Sequence, residues 1–217
     1  MGSFTVFYAM IESDDHWESA NLQDRLRQAH KEVNIENPPT QIAEYKATDN
    51  KQPKWLKVYE YKNNTDSSPE PSSAQTDILS QSTTSATLYN LVSSRQSPGI
   101  KLGLFQQDNI ELVAVRMTLK NIEDAEVHFD RWYEEEHIDL LSKVPGWLRT
   151  RRFKTLNITM EDEVIYLALH EYRSDNGLGG EAHHAAMSTS LRDEVLNTYV
   201  KDKARRTYRL CDNLKSA

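Results

Sequence analysis

One pattern occurs twice in this chain. An offset of 107 carries Leu22, Leu26, Ala29, His30, Val33 and Pro38 onto Phe129, Tyr133, Glu136, His137, Leu140 and Pro145. A second offset, of 111, carries Tyr59-Glu60-Tyr61-Lys62 onto His170-Glu171-Tyr172-Arg173. Asp108-Asn109 and Asp212-Asn213 each follow the last strand expected in their half. A repeat of this kind implies two supersecondary units, each with an apolar face that it cannot bury alone. The plainer alternative is chance similarity between two amphipathic helices.

The order of elements agrees with a duplication. Residues 4–11, 41–47, 55–62 and 100–105 read as strands, and 17–33 and 77–92 as helices, with a flexible polar loop over 63–76. In the second half, 111–119, 147–155, 164–172 and 205–210 read as strands, and 123–144 and 181–196 as helices. Each half is therefore βαββαβ, the ferredoxin-like order. The expected fold is α+β, with two tandem ferredoxin-like units over 1–109 and 110–217. Leu112 and Ala114 alternate with Val113, Val115 and Met117, so neither face of that strand is plainly polar. Packing the two sheets against each other, as an intrachain α/β barrel, would cover both faces.

Composition narrows the function. The net charge of -7 argues against a general nucleic-acid binder. The single cysteine, Cys211, excludes an intramolecular disulfide and a thiolate metal cluster. The amino-terminal residues lack a signal-peptide pattern, and no apolar run is long enough to span a bilayer. The expectation is a soluble cytoplasmic protein that acts on a small molecule without membrane or nucleic-acid partners. Two such chains could pair as a homodimer, a point on which the sequence is silent. Arg149, Arg151, Arg152 and Lys154 read as surface charge with one or two ligand contacts. No dinucleotide, P-loop, zinc-protease or nucleophile-elbow motif occurs.

The stretch 129–149 carries the clearest chemical signal. Phe129, Tyr133, Glu136, His137, Leu140, Leu141 and Val144 recur at helical spacing, so a carboxylate and an imidazole interrupt an apolar face. Their burial is costly unless they pair or line a wet cavity. His137 is thus the first candidate for a general acid or base, oriented by Asp130, Glu134 or Glu136. A neighbouring carboxylate would raise its pKa and burial would lower it, leaving the net value near neutrality. The plainer reading is a core-edge histidine bonded to a backbone carbonyl. His170 shares a strand face with Tyr166, Ala168 and Tyr172, and could face His137 across a pocket. Arg116, in an apolar strand, needs an anion, and a carboxylate of the protein is the first choice. Trp132, Tyr133 and Trp147 could wall a flat substrate. His183-His184 opens a helix after glycines. Adjacent histidines do not make the one-face pair of a metal helix, although a helix N-terminus could hold an anionic group. No metal site is expected.

The run Trp132-Tyr133-Glu134-Glu135-Glu136-His137, followed by Pro145-Gly146 and a strand, resembles the dimeric α/β barrel superfamily, in particular its EthD-like branch. The resemblance covers the second half well and the first half weakly. It implies small-molecule chemistry in a cleft between sheet and helices. The superfamily includes cofactor-independent monooxygenases, isomerases, cyclases, decarboxylases and haem enzymes, so fold alone does not choose the reaction. Beside the residues above, it implies a cofactor-independent acid-base enzyme of the lyase or isomerase kind, acting on an aromatic or polyketide-like molecule. A haem protein with His137 or His170 as axial ligand, and a non-catalytic binding protein, are the alternatives.

Overall fold

Strands that are apolar on both faces need cover on both, and here a closed barrel provides half of it. The computed structural model describes residues 5–14, 39–63, 84–100, 109–155 and 164–214. Its strands are β1 (Thr5–Ser13), β2 (Gln41–Ala47), β3 (Trp55–Asn63), β4 (Thr84–Gln96), β5 (Ile110–Leu119), β6 (Trp147–Thr155), β7 (Ile165–Arg173) and β8 (Val200–Leu214). They close in the order β1-β3-β2-β8-β5-β7-β6-β4, and every pairing is antiparallel. The ring reads as two stretches with the same internal order, β4-β1-β3-β2 and β8-β5-β7-β6. They meet edge to edge at the β2–β8 and β4–β6 pairs.

Side-chain alternation along each strand creates two cores. Tyr8, Tyr45, Val58, Tyr89, Leu112, Phe153, Leu169 and Tyr208 form one cluster. They come one from each of the eight strands, and only the barrel interior lets all eight meet. Val113, Met117, Tyr166, Ala168 and Tyr172 point the other way, and helices cover them. The covering helix runs through α1 (Ala125–Trp132), a π-helical turn (Tyr133–His137) and α2 (Ile138–Leu141). Phe129, Trp132 and Tyr133 from this helix are almost fully buried. Each contributes about 1.5–3 kcal/mol by leaving water. Two further helices, α3 (Glu181–Met187) and α4 (Ser190–Tyr199), complete the layer.

Four expectations change. Residues 84–92 are strand, not helix: Leu88, Leu91 and Val92 have helical spacing, but pairing of β4 with β1 and β6 decides the conformation. The helix expected over 181–196 breaks after Met187. Thr189 caps a new one, its Oγ1 accepting from the Arg192 backbone N–H at 3.2 Å. Arg149, Arg151 and Arg152 are buried rather than on the surface. Inside the barrel, Arg149 and Arg151 both donate to Glu171, at 2.7 and 2.6 Å. On the outer face, Arg152 pairs with Asp130 at 2.5 Å and Glu134 at 2.6 Å, and its guanidinium lies 4.4 Å from the Tyr133 ring centre. Arg116 is exposed in a barrel-end cavity of about 310 Å³, and among the described residues no carboxylate pairs with it. The helix expected over 17–33, with His30, and most of the 63–76 loop and 100–105 strand lie outside the described residues.

Candidate functional site

The π-helical turn shapes the site. Residues five apart on an α-helix point about 140° away from each other. Widening over Tyr133–His137 instead brings Trp132 and His137 into a stack, with ring centres 4.6 Å apart. Tyr133 packs edge-on to His137 at 5.1 Å and parallel to His170 at 6.4 Å. The two imidazoles lie 6.4 Å apart, nearly perpendicular. π-helical turns of this kind recur at functional sites. These four rings share a cavity of about 70 Å³ with Tyr172, His183, Met187, Arg192, Lys203 and Arg205.

Each histidine is held differently. Trp147 Nε1–H donates to Thr150 Oγ1 at 3.0 Å, and Thr150 Oγ1 lies 3.0 Å from His170 Nδ1. This chain fixes the ring. Burial, then the charges of Arg205 and Arg152, depress the His170 pKa to about 3. His137 is pushed well below its ordinary value by burial, then by His170 and Arg192. Both rings are therefore neutral at physiological pH. His137 Nδ1 and Trp132 Nε1, on two residues that line the cavity, are buried with no hydrogen-bond partner. Buried polar atoms seldom remain unpaired without a functional reason.

The expected carboxylates are engaged elsewhere. Asp130 and Glu134 hold Arg152, and Glu136 accepts from Thr189 Oγ1 at 2.6 Å, docking α4 onto the π-helical turn. None of them orients His137. The expected pKa near neutrality therefore gives way to a depressed one, because the charges acting on the ring are basic. Trp132, Tyr133, His137 and His170 come together in the cavity. Trp147 stands behind His170, and Tyr166 bonds to Glu126 at 2.9 Å and Asp130 at 3.3 Å. Arg116 lies on the opposite side of the sheet. Arg192, Lys203 and Arg205 were missed. Lys203 and Arg205 alternate on one face of β8, a signal hidden because the strand was expected to begin only at 205.

Among the described residues no group of three or more His, Cys, Asp or Glu could hold a metal ion. The cavity of about 70 Å³ is smaller than the roughly 300–1,000 Å³ typical of sites for drug-sized ligands, so a haem and a polycyclic substrate alike would need the side chains around it to move.

The described strands thus form an antiparallel eight-stranded barrel, with an aromatic, basic pocket between its outer face and a helix layer. The chain shares the fold of the dimeric α/β barrel superfamily. It is similar to an anthrone oxidase-like protein, with a TM-score of 0.59 and 10% identity over 97% of this chain and 92% of that one. A protein assigned as a monooxygenase from Lactobacillus acidophilus gives a TM-score of 0.53 and 12% identity, over 97% and 96% of the two chains. Another, from Fusobacterium nucleatum, gives 0.53 and 10%, over 99% and 95%. At such identities the likeness is one of fold. No protein-family model matches the sequence, and no curated protein is significantly similar to it.

Proposed function

We propose that the chain is a cofactor-independent enzyme doing acid-base chemistry on a flat aromatic or polyketide-like molecule. The reaction is of the lyase or isomerase kind: cyclisation, isomerisation, dehydration or decarboxylation. The observation that carries this reading is the buried, neutral His137, which lines a cavity with Trp132 and Tyr133 and whose Nδ1 has no hydrogen-bond partner. His137 takes a proton from an activated carbon or hydroxyl of the substrate. A depressed pKa makes it a weak base in the empty pocket. Its causes are burial and basic neighbours, and an anion formed beside the ring offsets both. His170, fixed by Thr150, donates from Nε2 to the oxygen on which the negative charge gathers. That one fold-sharing protein is described as anthrone oxidase-like fits a flat aromatic substrate.

The chain also reads as a tandem duplication of a ferredoxin-like unit, 1–109 and 110–217, with the working site in the second. The 107-residue offset and the repeated strand order support this reading.

The test is a turnover screen of hydroxylated naphthyl and anthracenyl ketones and keto acids, followed by absorbance. His137→Ala is expected to lower the rate about 10²–10⁴-fold while the melting temperature holds. His30→Ala, at the corresponding position of the first half, is expected to leave the rate unchanged. Intact turnover in both His137→Ala and His170→Ala would remove the proposal.

A further inference from the structure

The cavity beside His137 has an unusual charge balance. The chain is acidic overall, with 33 Asp and Glu against 26 Lys and Arg, yet among the described residues no Asp or Glu lines this cavity. Arg192, Lys203 and Arg205 do, together with His137, His170 and His183. Elsewhere the described structure closes its buried guanidinium charge. Arg149, Arg151 and Arg152 each meet a carboxylate at 2.5–2.7 Å. Among the described residues, Arg192 pairs only with Asp193, its chain neighbour, whose side chain is 61% exposed. An exposed pair of that kind contributes little. Among the described residues no carboxylate pairs with Lys203 or Arg205.

A row of solvated cations is the ordinary explanation for such a rim. Two further observations argue against it here. Trp132 Nε1 and His137 Nδ1, on residues 1% and 5% exposed that line this cavity, are buried and unpartnered. A ligand that opened the pocket would bring polar atoms to satisfy both. The positive field also reaches the floor: Arg192 acts on His137 and Lys203, and Arg205 acts on His170 and His183.

Size sets the ligand's orientation. The cavity of about 70 Å³ is less than half of the ~150 Å³ apolar cavity that holds a benzene ring. Only the leading edge of a ring enters the resting pocket, and the rest of the molecule sits in the mouth. Lys203 and Arg205 are exposed there, while Trp132 and His137 are buried.

We infer that this pocket takes an aromatic organic acid, its ring edge against Trp132, Tyr133 and His137 and its anionic group held by Arg192, Lys203 and Arg205. The inference rests on the proposed reading of this cavity as the substrate site, and it names the substrate class. Recognition by two guanidinium groups favours a planar, bidentate anion such as a carboxylate.

The experiment measures binding of 2-naphthoate and of its neutral isostere 2-naphthamide to the full chain, by tryptophan fluorescence and calorimetry. Naphthoate is expected to bind at least about tenfold more tightly, equivalent to one strong charge-assisted contact. Arg205→Gln and Lys203→Gln are each expected to weaken naphthoate binding about fivefold to tenfold without changing naphthamide binding. Arg205→Lys should restore part of the difference. Both changed side chains are exposed, so melting curves should match the parent. Equal affinity for acid and amide overturns the inference, as does full discrimination in the Arg205→Gln/Lys203→Gln double variant. His137→Asn separates this result from the catalytic proposal. The acid/amide ratio should survive that change, while turnover in the ketone screen should not.

Discussion

The two faces of β7 treat charge in opposite ways. On the barrel side Glu171 is fully buried and accepts from Arg149 and Arg151. On the helix side His170 is also buried, but it looks across to His137 and to basic side chains, with no carboxylate among the described residues there. Residues one position apart thus sit in a closed charge network and in an open one. A carboxylate that two guanidinium groups share ties strands together. An open network costs stability unless something else completes it. In this protein, complementarity of charge separates scaffold from candidate site more sharply than burial does.

The strongest way to break that contrast is Glu171→Ala. It leaves two buried guanidinium groups without their shared partner, and a loss of roughly 3–5 kcal/mol is expected. Urea denaturation should show it as a large fall in midpoint. An unchanged midpoint would mean that the barrel network is no more closed than the outer pocket. Thr150→Val acts on the helix side of the sheet. It removes the hydroxyl between Trp147 Nε1 and His170 Nδ1, both buried. Each group left unsatisfied costs about 1–3 kcal/mol. Turnover should also fall, because His170 loses the contact that fixes its ring. A variant that is less stable but equally active would assign Thr150 to the fold alone.

The gentlest test is pH. The His170 pKa is about 3 in the folded chain, below its ordinary value of 6.5. Above pH 6.5 the ring is neutral in both states, and it contributes no pH dependence. Below that, the unfolded chain binds the proton first, so stability falls as pH drops towards 3. The slope is about 1.4 kcal/mol per pH unit for each such histidine. His137 is depressed in the same direction and adds to the slope. Denaturation midpoints of the parent and of His170→Asn, compared from pH 7 to 5, should show a shallower fall in the variant. Parallel curves would argue that His170 is not held neutral.

The strands were legible because alternation is a local signal. β2 and β6 begin and end where the sequence pattern puts them. The helix over Trp132 and His137 was legible as a helix but not in its phase. A constant 3.6-residue period put Glu136 and Leu140 on the buried face, whereas Trp132 and Ile138 take those places. β4 was misread because its partners, β1 and β6, lie far off in sequence. The arginines of β6 were misplaced for the same reason: nothing near them in the chain announces Glu171. His137, His170, Trp132 and Tyr133 could be found as chemistry-bearing side chains within recognisable elements. Arg192, Lys203 and Arg205 gain their meaning only when α4 and β8 fold back over the first helix.

The π-helical turn behaves as one residue more than an α-helix of the same span would hold. Everything before it is set by the sheet contacts of Phe129 and by the Arg152 pairs, and everything after it by Leu141, Val144 and the tight turn at Gly146. Gly146 has φ +82, and a Cβ there would lie 2.9 Å from Asn176 Cβ. With both ends pinned, the surplus cannot be passed along the helix. Deleting Glu135 would take out that surplus, so a regular α-helix would span the same two anchors, and Trp132 and His137, then four residues apart, would still share a face. The widened turn is how the helix absorbs an extra residue without moving the imidazole.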